Sequence, residues 1–442
     1  MKKRSQLFSG NALHRSFASD ELGFYKGDSR HLPNAGSVAG ALARVENGER
    51  LSYDDALLLY RDADLLQLGR AANARRQQLV PGQTVTYLID RNINYTNVCN
   101  TDCSFCAFYR HDPHHPEAYV NPKPIIGQKI AETLYLGGTR ILMQGGHNDE
   151  LPWSFYLDLV SWIHQTYPQI EINAFSPSEI DQMVKVSGLS RYEVLRALQA
   201  AGMSGLPGGG GEILDDEIRK RVSPKKQRTD GWLDCMHYAH QLGLTTTATM
   251  VIGFRETIRH RLNHLQRLRD LQDASLRDFG TGFNAFISWT VQIGNTPLER
   301  SRFADEYGAT PHEYLRHTAI ARIFLDNIPH HQASWPTQGE KVAAVALHFG
   351  CDDFGSTMIE ENVVSAAGAR TAVKCSVDVP EIHRQIRDAG FIPAQRDTGY
   401  QIVRRYTANE DEDAAQLPPT ELVNAPTGNL TNAQALALNV LN

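Results

Sequence analysis

Cysteine is scarce in this chain: six in 442 residues, three of them far from any other. That spacing excludes a disulfide framework, a device of small secreted domains. It also excludes the usual structural zinc site, because no second close pair of cysteines exists to complete four ligands. Positive charge is not in excess either. With a net charge of −6 the chain offers no electrostatic case for nucleic acid, and none is expected as a partner. Long hydrophobic runs are missing: nothing approaches the roughly 20 apolar residues that span a bilayer, so no membrane association is expected. The basic start Met1-Lys-Lys-Arg4 lacks the apolar core of an export signal, which points to the reducing cytoplasm. Internal repeats are absent.

The remaining three cysteines stand together, as Cys99-x3-Cys103-x2-Cys106. Three thiolates on one short loop are enough for three corners of a four-iron cluster, leaving the fourth iron without a protein ligand. A ferredoxin-type electron carrier would need a fourth thiolate at matching spacing. Cys235, Cys351 and Cys375 stand alone and are expected to be small buried hydrophobes.

Around this loop, β-rich apolar runs alternate with amphipathic stretches. Strands are predicted at 84–89, 140–144, 170–175, 244–252 and 282–287, the first delivering the cysteine loop. Helices are predicted at 123–136, 153–167, 191–201, 232–242 and 257–274. Such alternation is the mark of βαβ units and a parallel sheet, with chemistry at the carboxyl ends of the strands. The fold class is therefore α/β, a (β/α) barrel. Residues 1–45 are expected as a loosely ordered arm and 46–83 as a helical extension. The core barrel is assigned to 84–310, and 311–406 to C-terminal additions that close the barrel and the substrate site. Residues 407–442, acidic and then polar, are expected as a disordered tail with a marginal helix near 431–441.

The cysteine triplet, with Phe105 before its last member, resembles the radical S-adenosylmethionine (SAM) superfamily. The resemblance implies a TIM-type barrel, a [4Fe-4S] cluster held by Cys99, Cys103 and Cys106, and SAM on the open iron. A narrower similarity runs over residues 50–370, through Asn92-Ile-Asn-Tyr-Thr-Asn-Val-Cys99, Met143-Gln-Gly-Gly146, Pro207-Gly-Gly-Gly-Gly-Glu-Ile-Leu214, Ser223-Pro-Lys-Lys226 and Ser356-Thr-Met-Ile-Glu-Glu-Asn-Val-Val364. These motifs are similar to those of one group: aminofutalosine synthase, dehypoxanthine futalosine cyclase and the ring-joining subunit of deazaflavin synthase. Within it the cyclases are the most similar.

By that resemblance Gln144, Gly145 and Gly146 meet the methionine part of SAM, Glu212 its ribose or amine, and Gly253 its adenine. Where an acid usually follows the two glycines, this chain has His147. It also has Asn173 and Phe254 where a histidine is usual. Ser176 and Glu179 remain as candidate catalytic groups, and Arg110, Asn173, Trp289 and Trp335 as substrate contacts. His111, His114 and His115, and the pair His330 and His331, read as loop histidines. The implied partners are a small-molecule substrate, dehypoxanthine futalosine, and an electron donor such as flavodoxin or ferredoxin. The alternatives are the other two enzymes of the group, or a non-catalytic iron-sulfur protein.

Overall fold

The structure, a computed structural model, describes residues 36–369, 379–413 and 417. Eleven strands form one sheet: β1 (Thr84–Leu88), β2 (Asp90–Ile93), β3 (Arg140–Met143), β4 (Glu171–Ala174), β5 (Gly205–Leu206), β6 (Thr245–Ile252), β7 (Phe283–Thr290), β8 (His330–Gln332), β9 (Asp353–Ser356), β10 (Ile392–Arg396) and β11 (Ile402–Arg405). Every pairing from β1 to β10 is parallel; only β10–β11 is antiparallel.

The predicted strand 84–89 is one half of a longer, broken strand. β1 pairs with β9, whereas β2 pairs with β3 and, through Arg91, with Ile359 just beyond β9. Thr357 donates to the Leu88 carbonyl at 2.9 Å and the Asn92 amide to that of Ile359 at 2.9 Å. With β1 and β2 counted as one, β2 to β9 thus close into a ring of eight parallel strands. It is β2 that delivers the cysteine loop.

Helices wrap the ring, and some carry clear start and stop signals. Thr257 and His260 form a capping box that opens the helix Ile258–Phe279, and Gly280 in the left-handed region ends it, five residues later than predicted. Ser176 caps Pro177–Ser187, a helix not foreseen from the sequence. The helices Val38–Glu46, Tyr53–Asp62 and Leu65–Leu79 pack against the outside of the barrel. The first of them corrects the expectation of a loose arm up to residue 45: Ala41 and Val45 are buried there. Residues 1–35, the marginal helix near 431–441 and Cys375 lie outside the described residues.

No break in the sheet falls at 310, since β8 and β9 are ring strands. His330 and His331 open β8 rather than a loop. The C-terminal additions are β10, which extends the sheet beside β1, and the hairpin joining it to β11. That hairpin plugs the amino-terminal end of the barrel. Arg396 reaches Asp353 at the start of β9 (2.5 and 3.1 Å), Thr398 binds Glu171 at the start of β4, and Tyr400 stacks on His330 at the start of β8 with ring centres 3.7 Å apart. Among the described residues no helix is long and apolar enough to cross a membrane.

Candidate active site

The loop after β2 is fixed before any ligand arrives. The Cys99 amide donates to the Arg110 carbonyl at 3.0 Å and the Arg110 amide to that of Asn97 at 2.8 Å, drawing the ends of the loop together. Cys99 and Cys103 are buried, Cys106 half-buried, and the Thr101 hydroxyl lies 3.1 and 3.5 Å from the first two sulfurs. Burial pushes the Cys103 thiol up to about 11, with Lys226 opposing, and pushes Cys106 up as well. Such thiols become thiolates when a metal cation replaces the proton. Among the described residues no three His, Cys, Asp or Glu groups converge on a single ion. Three thiols on one short loop are the donor set of a four-iron cluster with one iron left open.

Gly145 and Gly146 follow β3 directly beside this loop. A Cβ on Gly146 would lie 2.1 Å from the Val98 carbonyl oxygen and 2.8 Å from the Cys99 Cβ; one on Gly145 would lie 2.6 Å from the Tyr95 ring. Only glycine allows the turn to pack there. Glu179, at the first turn of the helix capped by Ser176, anchors it. Its Oε1 accepts from the Gly145 amide at 2.8 Å and from the Tyr95 hydroxyl at 2.9 Å, and its Oε2 accepts from Ser176 at 2.7 Å. Burial raises this carboxyl to about 7. Ser176 and Glu179 thus hold the turn from behind. His147, buried with Nε2 3.0 Å from the Ser178 hydroxyl, is held to about 3 by burial and is neutral.

The glycine run 208–211 is tied to β6: the Gly208 amide donates to Thr247 at 3.1 Å and Thr249 donates to its carbonyl at 2.5 Å. Glu212 leaves this run with a φ of 35° and meets Lys226 at 2.9 Å and Arg219 at 3.4 Å. Burial acts to lower the Lys226 ammonium, but the Cys103 sulfur and Glu212 outweigh it and hold it above its usual value. With its Nζ 5.6 Å from the Phe105 ring centre and 2.9 Å from Glu212, Lys226 bridges the cysteine loop and the glycine run. Gly253 is bound to Glu256 at 2.9 Å and packs on Gly308.

A cavity of about 300 Å³ occupies the lumen, with Phe105, Gln144 and Glu212 on the side of the cysteine loop and Arg396, Thr398 and Tyr400 at the floor. Asn173 and Trp289, two of the four expected substrate contacts, line it. The other two do not. Arg110 turns away to Glu117 and to the carbonyls of its own loop, the nearest being Tyr109 at 3.0 Å. Trp335 donates from its indole to the Ser356 carbonyl at 3.0 Å. Ser176, Glu179 and Gly253 are likewise outside the lining. The cations among the lining residues, Arg140 and Arg396, are each paired with an aspartate, Asp90 and Asp353.

The sequence pattern of the Radical SAM superfamily matches residues 93–268, and that of the CofH/MqnC C-terminal region matches residues 280–409. Over 380 residues, 86% of this chain and 98% of the relative, the chain is 47% identical to a cyclic dehypoxanthine futalosine synthase of Halalkalibacterium halodurans. The chain belongs to the radical SAM superfamily. A second cyclic dehypoxanthine futalosine synthase, of Streptomyces coelicolor, is 42% identical over 84% of this chain and 91% of its own length. An aminodeoxyfutalosine synthase of Thermus thermophilus is 36% identical over 82% and 94%. The radical SAM fold is shared with a maturase of the [FeFe]-hydrogenase (TM-score 0.64, 13% identity, 85% of this chain and 78% of that one) and with methylornithine synthase (0.61, 18%, 80% and 97%). As a radical SAM enzyme the protein uses a [4Fe-4S] cluster and SAM.

Lining residues that sequence reasoning missed are of two kinds. Asn92 and Asn94 stand inside a quoted motif, and their spacing of two on a strand was a usable signal for one face. Arg140, Arg396, Thr398 and Tyr400 carried no local signal at all.

Proposed function

We propose that the protein closes dehypoxanthine futalosine into its cyclic form, a step of menaquinone biosynthesis. The observation that carries this reading is the 47% identity sustained over nearly the whole length of a cyclic dehypoxanthine futalosine synthase. The lumen is compatible with it, because an intramolecular closure needs both ends of one molecule held together, where positioning alone lowers the barrier by several kcal/mol.

In this reading Cys99, Cys103 and Cys106 hold the cluster. Gln144, Gly145, Gly146 and Glu212 receive SAM, with Gly253 shaping the adenine side. Bound there, cluster and SAM supply a 5′-deoxyadenosyl radical that takes the hydrogen from C4′ of the substrate ribose. C4′ would then bond to the benzoate ring, and aromaticity would be restored by loss of a proton to solvent and of one electron to the oxidised cluster, which had given one up to cleave SAM. The chain's own share is to orient and to exclude water: Trp289 offers an aromatic face, Asn173 a polar contact, and the hairpin at the floor seals the lumen. The proposed setting is the cytoplasm, with flavodoxin or ferredoxin as electron donor.

The test is anaerobic incubation of reduced, cluster-loaded protein with SAM and substrate deuterated at C4′. The expected result is a cyclic product and one deuterium in deoxyadenosine for each turnover. Two other outcomes would sink the reading. One is turnover only with an enol-ether benzoate, the adenosyl group entering the product, as for an aminofutalosine synthase. The other is turnover only with tyrosine and a diaminouracil.

A further inference from the structure

Three asparagines line the lumen, and they are not equivalent. Asn94 is committed to the protein: its amide donates to the Gln144 carbonyl at 3.1 Å and its oxygen accepts from Asn362 at 3.1 Å. Asn92 and Asn173 are 8% and 3% exposed, and no protein donor reaches the buried Oδ1 of either. Burying an amide oxygen without a partner costs folding free energy, so a fold that keeps two of them in one cavity has a use for them.

Their placement is regular. In the parallel register Asn92 on β2 lies beside Leu142 on β3, which lies beside Asn173 on β4. All three line the cavity. The two backbones are therefore two strand spacings apart, roughly 10 Å, and the side chains reach into the same lumen across Leu142. Room is kept for the second amide: a Cβ on Gly205, its neighbour on β5, would come within 2.6 Å of the Asn173 Oδ1. The two lining arginines, Arg140 and Arg396, are neutralised by Asp90 and Asp353. An amide offers one acceptor and one donor group to a neutral hydroxyl, which is itself both.

We propose that Asn92 and Asn173 are the specificity-determining pair for the sugar of the substrate, each amide receiving a ribose hydroxyl. The inference rests on the cyclase reading, which supplies the ribose. It makes two demands on the same residues. Removing the amides relieves the protein and harms recognition.

The test uses cluster-loaded holoenzyme with SAM, comparing the parent with N92L and N173L. Affinity is measured for dehypoxanthine futalosine and for analogues in which one ribose hydroxyl is replaced by hydrogen. Each leucine should weaken binding of the full substrate by about tenfold while leaving the melting temperature equal or higher. A deoxy analogue should lose a similar factor with the parent and nothing further with the variant whose amide it would have met. If every deoxy analogue loses as much in the variants as in the parent, or if the variants melt lower and bind substrate normally, the assignment is overturned. Should a leucine variant not fold, N92S and N173S carry the same cycle. Failure of the cyclase reading is separately visible as a parent enzyme that neither binds nor turns over the substrate, and the inference falls with it.

Discussion

Glu179 receives the Gly145 amide at 2.8 Å, so a carboxylate on one helix fixes the turn that follows β3. The same carboxyl gathers Tyr95 and Ser176, and burial lifts it from 4.5 to about 7. A folded state that binds the proton more tightly than the unfolded chain is stabilised at low pH. This contribution is complete below about 4.5 and is lost as pH rises through about 7. Glutamine keeps the acceptor for Gly145 and Tyr95 without the charge. The melting temperature of the parent should therefore fall relative to that of E179Q between pH 5 and pH 8. E179A should lose about 2–3 kcal/mol of stability at pH 5 and less at pH 8, and weaken SAM binding. Parallel melting curves for parent and E179Q across that range would contradict this account.

The cysteines divide into two sets. C99A, C103A or C106A should abolish iron loading and SAM cleavage, because three ligands on one loop leave no substitute. Cys235 and Cys351 are fully buried in apolar surroundings. Their alanine variants should keep the full iron content and lose about 1 kcal/mol of stability from the small cavity. Iron and sulfide analysis decides.

Glu212 stands between Lys226 and Arg219 at the end of the glycine run. E212A and E212Q should both weaken SAM affinity by about tenfold or more while iron content stays at the parental level. SAM titration followed by the electron paramagnetic resonance of the reduced cluster measures both. Unchanged affinity in both variants would return Glu212 to a structural role.

At the floor of the barrel the Arg396–Asp353 pair is buried on both sides. R396M leaves an uncompensated carboxylate and should cost about 3–5 kcal/mol. Adding D353N should restore part of that loss, whereas two independent sites would simply add. Thermal unfolding of the four proteins tests the coupling.

What the sequence disclosed follows the range over which each feature is written. The cysteine loop and the Gly145–Gly146 turn are local, a few residues long, and were legible as motifs. The alternation of strands and helices gave the barrel because burial repeats along the chain. The break between β1 and β2 did not show: β2 reads Asp90-Arg-Asn-Ile93, with no apolar run to mark it as a strand, and its change of partner is written far along the chain. The plug could not show either: Thr398 meets Glu171 227 residues away, and nothing near either residue announces the other. Arg110 carried a motif, yet the nearer Glu117 took its guanidinium.

The plug also sets an order of events during synthesis. β1 leaves the ribosome among the first strands, while both its neighbours, β9 and β10, leave among the last. Until residue 359 has emerged the ring stays an open sheet with an unpaired edge, and until residue 396 and the hairpin after it have emerged the floor is unsealed. The cysteine loop is complete almost 300 residues earlier. Iron delivery thus has the whole of that interval to reach an accessible loop, and the hairpin seals the chamber only afterwards. A stop codon that removes β10 and β11 should leave a chain still able to meet iron but never able to shield a radical.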